Sequence, residues 1–131
     1  MPWIRQRQGT DYLSYAYGFP ERTAYATSDR ITGPWKFQGI LIELAANCYT
    51  NHQAFIELKR QWYFIRHNGG TPTGSSFRRS VCVDFLHYNP DGTMQRVIQT
   101  MKGMGPAKEV DPGQIRVNRR MGCRVSLADG A

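Results

Sequence analysis

The sequence predicts an all-β protein built of antiparallel four-stranded blades, and three observations carry that prediction. Aromatic residues, 12% of the chain, sit with Val, Ile and Thr in short segments bounded by Gly, Pro, Asn and Asp, the composition of strands and turns. No segment sustains a period near 3.6, so long helices are not expected. The chain also repeats itself: Asp11-Tyr12-Leu13-Ser14-Tyr15-Ala16-Tyr17-Gly18 lies over Trp62-Tyr63-Phe64-Ile65-Arg66-His67-Asn68-Gly69 at an offset of 51. Four strands in about 50 residues is the period of a β-propeller blade. On pattern alone, eight strands could also form a small sandwich.

The elements follow in order. A first strand, 3–7, closes on Gln8-Gly9-Thr10 and leads into a second, 11–17. A loop at 18–21 precedes a third strand, 23–28, and Thr32-Gly33-Pro34-Trp35 precedes a fourth, 37–41. The stretch 43–51 is irregular. The second set comprises 52–58, a two-residue turn near Lys59-Arg60, 62–67, a Gly-rich loop 68–76, 79–86, a turn at Asn89-Pro90-Asp91-Gly92, and a last strand 95–100. Gly39-Ile40 matches Val97-Ile98 at an offset of 58, the increase being absorbed by the Gly-rich loop. The blade-like units are therefore about 2–41 and 52–100. Residues 101–131 lack clean alternation and read as a tail, a linker or the start of a truncated further module.

Length and composition restrict the function. At 131 residues and 40% hydrophobic content the chain is one packed domain's worth, without an 18-residue apolar run, so neither a membrane span nor a membrane partner is expected. Lys and Arg outnumber Asp and Glu by 17 to 10, but no basic run exceeds two residues, which argues against nucleic acid as a partner. Cys48, Cys82 and Cys123 are widely spaced, with no Cys-x-x-Cys and no close Cys/His pair, so the spacing supports neither a zinc site nor a disulfide framework. Two blades cannot close a ring of typically 4 to 8, so upstream blades are expected to be missing; the alternative to an enzyme fragment is a non-catalytic binding or self-assembling half-propeller module, whose exposed blade edges pair with another chain or with copies of itself.

Several segments carry a family resemblance. Glu21-Arg22-Thr23-Ala24-Tyr25-Ala26-Thr27-Ser28-Asp29, Ile31-Thr32-Gly33-Pro34-Trp35, Thr50-Asn51-His52-Gln53 and Phe77-Arg78-Arg79-Ser80-Val81-Cys82-Val83-Asp84, with Trp3-Ile4-Arg5 and the two repeated segments, together resemble glycoside hydrolase family 43. The likeness covers about residues 2–100. It implies the last two blades of a five-bladed propeller acting on xylan, arabinoxylan or arabinan, outside the cytoplasm or in the periplasm. It also implies hydrolysis with inversion, in which a carboxylate base activates water while a carboxylic acid protonates the leaving oxygen. The base and a third, tuning Asp fall on blades outside this sequence, and the acid Glu falls about three residues before Trp3, ahead of Met1. The resemblance thus places no catalytic carboxylate in this chain, which is expected to be inactive alone.

What it does place are supporting residues. His52 matches a histidine near the propeller axis, on a hydrated calcium ion or at the floor of the sugar pocket, with Asn51 and Gln53 available to fix a buried imidazole. Arg79 matches an arginine that reaches sugar hydroxyls or a catalytic carboxylate, where a rigid five-donor fork is useful. Arg78 beside it would face the other way on a strand. Tyr17 and Phe19, in the loop after the second strand, are sugar-lining candidates, and His67 and Asn68 open the Gly-rich loop at its rim. Glu21, Glu43 and Glu57 read as solvated surface, and Trp62 as packing between blades.

Overall fold

The computed structural model describes residues 1–100; the expected tail 101–131 lies outside the described residues. Seven strands form two antiparallel meanders. β1 (Trp3–Arg7), β2 (Thr10–Tyr17), β3 (Arg22–Ser28) and β4 (Lys36–Ile42) make a four-stranded sheet in that order. β5 (Gln53–Leu58), β6 (Gln61–Asn68) and β7 (Ser80–Leu86) make a three-stranded one. Both first hairpins turn on two residues in the left-handed region, which matches the right-handed twist of the flanking strands. Gln8 and Gly9 have φ of 50° and 81°, and Lys59 and Arg60 have φ of 52° and 64°.

The repeat is visible in the strands themselves: β2 and β6 are both eight residues long and 51 positions apart. Through the middle of each, the buried side chains fall on even positions, Tyr12 and Ser14 in β2 and Phe64, Arg66 and Asn68 in β6. Side chains alternate faces with period two, so an odd offset puts the buried side on opposite faces of the two sheets. Neighbouring blades stacked front to back have this relation.

The seam between the sheets is the core. Tyr12, Tyr25, Leu41, Ile42, Phe55, Phe64 and Leu86 are buried there, with Trp62 and Tyr88 packed against them. Arg5 crosses the seam, its guanidinium 4.7, 4.7 and 4.6 Å from the ring centres of Tyr12, Phe55 and Trp62. Each such contact contributes on the order of 0.5–2 kcal/mol once desolvated. Burial holds the Arg5 pKa below its usual value and pushes the Tyr88 phenol up to about 12. A second buried cation, Arg66, pairs with Asp84 through Nε to Oδ2 at 3.1 Å. Burial raises the Asp84 pKa and lowers that of Arg66. Cys48 is a buried free thiol.

The expected fourth strand of the second unit, 95–100, is not a strand. After a turn in which the Asn89 amide donates to the Thr93 carbonyl at 2.8 Å, the chain leaves the second sheet and crosses to the first. The Val97 amide donates to the Leu41 carbonyl at 2.8 Å, and Gln99 donates to the carbonyls of Glu43 and Leu44. Met94 and Val97 are buried in the seam, where the Met94 amide donates to the Tyr25 hydroxyl at 2.9 Å. Burying those two side chains outcompetes an exposed edge strand for this segment.

Candidate functional site

All the nominated site residues gather at one end of the two sheets. In an antiparallel meander the β2–β3 loop, the 43–52 connector and the β6–β7 loop lie at the same end, opposite the two-residue turns after β1 and β5. Tyr17 ends β2, Phe19 stands in the loop after it, His52 immediately precedes β5, and Arg78 and Arg79 immediately precede β7.

Hydrogen bonds lace these loops together. The Glu21 amide donates to the Tyr49 carbonyl at 2.8 Å, and Glu21 Oε2 accepts from the Asn51 amide at 2.8 Å. The Tyr49 amide donates to Ser76 Oγ at 3.1 Å, and the Gly69 amide to the Ala46 carbonyl at 2.8 Å. Two glycines permit this approach. A Cβ at Gly69 would overlap the Asn47 carbonyl oxygen, and one at Gly74 would overlap the Gly69 carbonyl oxygen. The Gly-rich loop is therefore closely packed against the connector at its base.

On that base stand the candidate side chains. Phe19, 78% exposed, stacks on Tyr49, 62% exposed, with ring centres 6.0 Å apart. Tyr17 is exposed and leans on Phe37 at 5.9 Å. His52 meets His67 edge to face at 5.3 Å, and His67 Nε2 lies 3.1 Å from the Thr50 carbonyl oxygen. Burial lowers the His67 pKa first and the Arg79 charge second, so at neutral pH the imidazole is neutral and donates to that carbonyl. Arg79 is exposed, its Nε donating to the Ser76 carbonyl and the remaining guanidinium donors reaching solvent.

Three sequence readings change here. His52 is exposed while its neighbours Asn51 and Gln53 are the buried pair, so the two amides are part of the seam and do not fix a buried imidazole. Arg78 and Arg79 lie ahead of β7, Arg78 bridging back to Ser75, so strand alternation does not separate their directions. Glu21 is half-buried and tied to the Asn51 amide, so it is not freely solvated. Glu43 binds Arg22 and Arg96 on the surface, as a solvated residue would. Tyr49 and Phe77, the latter 95% exposed in the Gly-rich loop, escaped the sequence reading because single aromatics in irregular segments carry no pattern.

Calcium takes about 6–8 oxygen ligands, waters among them; at this end His52 meets the His67 ring and Glu21 Oε2 accepts from the Asn51 amide. Among the described residues no group of three His, Cys, Asp or Glu could hold a metal ion, and no helix is long and apolar enough to cross a membrane.

Comparison with known proteins follows the same lines. No protein-family model matches the chain. A xylosidase/arabinosidase of Bacteroides ovatus is 33% identical over 90 residues, 69% of this chain and 27% of that protein. A beta-xylosidase of Xylanibacter ruminicola is 30% identical over 95 residues, 72% of this chain and 30% of that protein. Among solved structures, a GH43 beta-xylosidase/alpha-arabinofuranosidase from a compost microbial metagenome, in complex with xylotriose and in a calcium-free form, superposes with a TM-score of 0.68. It is 31% identical and covers 73% of this chain and 29% of its own. A GH43_1 enzyme from Xanthomonas citri, also solved with xylotriose, gives the same TM-score and coverage at 34% identity. The chain thus spans under a third of the length of these relatives. On these likenesses the chain belongs to glycoside hydrolase family 43, as about two blades of that family's five-bladed β-propeller.

Proposed function

We propose that the loop end of the two sheets is a pentose-binding surface, the non-catalytic part of the sugar pocket of a xylosidase or arabinofuranosidase that works outside the cytoplasm or in the periplasm. The observation that carries this reading is the convergence of Tyr17, Phe19, His52, Arg78 and Arg79, from three loops, on one hydrogen-bonded base. The free donors of the Arg79 fork suit a pair of neighbouring sugar hydroxyls, a geometry that a lysine point charge does not reproduce. The exposed Phe19–Tyr49 stack offers a flat apolar face to the C–H side of a sugar ring. His67 holds its tautomer through Thr50, and His52 stands against it at the surface.

The names of the relatives and the xylotriose in two of the neighbouring structures support a xylose- or arabinose-containing oligosaccharide as the ligand. No carboxylate at this end is placed as acid or base, so the isolated chain binds without turnover. Absence of both groups forfeits factors of about 10² to 10⁴ each. Two measurements on the 131-residue chain test this: hydrolysis of p-nitrophenyl xyloside and arabinofuranoside, and calorimetric titration with xylotriose. The expected result is no hydrolysis above background and weak binding that Arg79→Ala lowers about tenfold, roughly one charged hydrogen bond. Turnover at ordinary glycosidase rates, or xylotriose affinity indifferent to Arg79→Ala, would overturn it.

A further inference from the structure

Inside the seam, toward its loop end, buried polar side chains meet without enough partners. Gln53 stands directly opposite Arg66 in the β5–β6 ladder, and Asn51 lies two residues before Gln53. All three are buried, as are Ser14 and Asp84. Arg66 engages only its Nε, which donates to Asp84 Oδ2 at 3.1 Å. Gln53 Nε2 donates to the Met1 carbonyl at 3.0 Å and to Ser14 Oγ at 3.4 Å. That leaves Arg66 Nη1 and Nη2, Gln53 Oε1, and Asn51 Nδ2 and Oδ1 buried with no hydrogen-bond partner among the described residues.

A buried polar atom left without a partner costs more than an ordinary hydrogen bond gains, so folded proteins satisfy such atoms, commonly with an enclosed water that makes about three hydrogen bonds. The group that fits this place must both accept and donate. The Nη and Nδ2 hydrogens need acceptors, while the amide oxygens of Gln53 and Asn51 need donors. Water does both. An anion would accept from the nitrogens only and leave both oxygens unmet; because Asp84 already neutralises Arg66, it would also add an uncompensated buried charge. The site lies between the two sheets, so their outer faces take no part in it.

We propose that the seam binds a structural water here, which accepts from Arg66 Nη and Asn51 Nδ2 and donates to Gln53 Oε1. Such a water joins β5 to β6 through their side chains at the loop end of the ladder, on the face opposite the His52–His67 pair. Arg66 then has two roles in the seam, ion-pair partner of Asp84 through Nε and donor to the water through Nη. The proposal does not depend on sugar binding.

Water-to-protein nuclear Overhauser spectroscopy on the full, isotope-labelled 131-residue chain tests it. Cross-peaks of the sign given by a water that tumbles with the protein are expected at the Arg66 Nη and Asn51 Nδ2 hydrogens, and their absence from either overturns the proposal. Gln53→Met removes an acceptor at nearly constant volume and is expected to weaken the Arg66 cross-peak severalfold; an unchanged cross-peak overturns the proposal. Ser14→Ala removes the hydroxyl bonded to Gln53, an alternative relay of magnetisation from solvent, and is expected to leave both cross-peaks in place. Their loss in Ser14→Ala assigns them to the hydroxyl and overturns the proposal. Should Gln53→Met fail to fold, the wild-type and Ser14→Ala spectra still decide.

Discussion

Arg66 and His67 are adjacent on β6 and do opposite things, because successive side chains point to opposite faces of a strand. Arg66 is 2% exposed and paired with Asp84 in the seam. Arg66→Ala leaves a buried carboxylate without its partner and is expected to lower the unfolding free energy by about 3–5 kcal/mol, while Arg66→Met combined with Asp84→Leu recovers most of that; urea denaturation midpoints of the two variants check this. His67 faces the loop end, and its pKa lies below the unfolded value of about 6.5. Between those two values the unfolded chain binds the extra proton, so stability is complete above the unfolded pKa and is lost as pH falls toward the folded one. Melting temperature is expected to drop as pH falls below the unfolded value of about 6.5, and to drop less in His67→Gln. The sequence showed both residues only as members of a repeated strand. Neither the burial of Arg66 nor that of Arg5 was legible, because a cation is placed on a surface by default and only the parity of the two sheets turns these inward.

Strands were the most legible elements, since alternation and turn residues are local signals. The strands that the sequence predicts at 11–17 and 62–67 are Thr10–Tyr17 and Gln61–Asn68, no end moving by more than one residue. The Lys59-Arg60 turn was read as a turn although neither residue favours the left-handed region, the spacing between two alternating runs being sufficient. That choice leaves strain, at about 1–2 kcal/mol per non-glycine residue in that region. Lys59→Asn with Arg60→Gly is accordingly expected to raise the unfolding free energy by about 1 kcal/mol, read as a shift of the urea midpoint at unchanged slope. The segment 95–100 misled because its Val97-Ile98 alternates like a strand, while its partner is chosen by distant contacts of Met94 with Tyr25 and of Val97 with Leu41. Local pattern does not encode such contacts.

At the scale of the whole molecule, two blades packed through one face each present one end of laced loops. The propeller and its family were legible because the repeat period and several short motifs agree, whereas the site was legible only as a set of residues. That Tyr49 supports Phe19, or that His52 is exposed beside His67, follows from how the connector and the Gly-rich loop meet at Gly69 and Gly74. The central claim is that this loop end, and not the turn end, receives a pentose oligosaccharide. Hydrogen exchange of the 131-residue chain with and without saturating xylotriose tests it most directly. Slower exchange confined to the segments holding Phe19, Tyr49, His52 and Arg79, with Gly9, Lys59 and Gly92 unchanged, is the predicted outcome. Protection at the turn end, or none anywhere at saturation, would contradict the account.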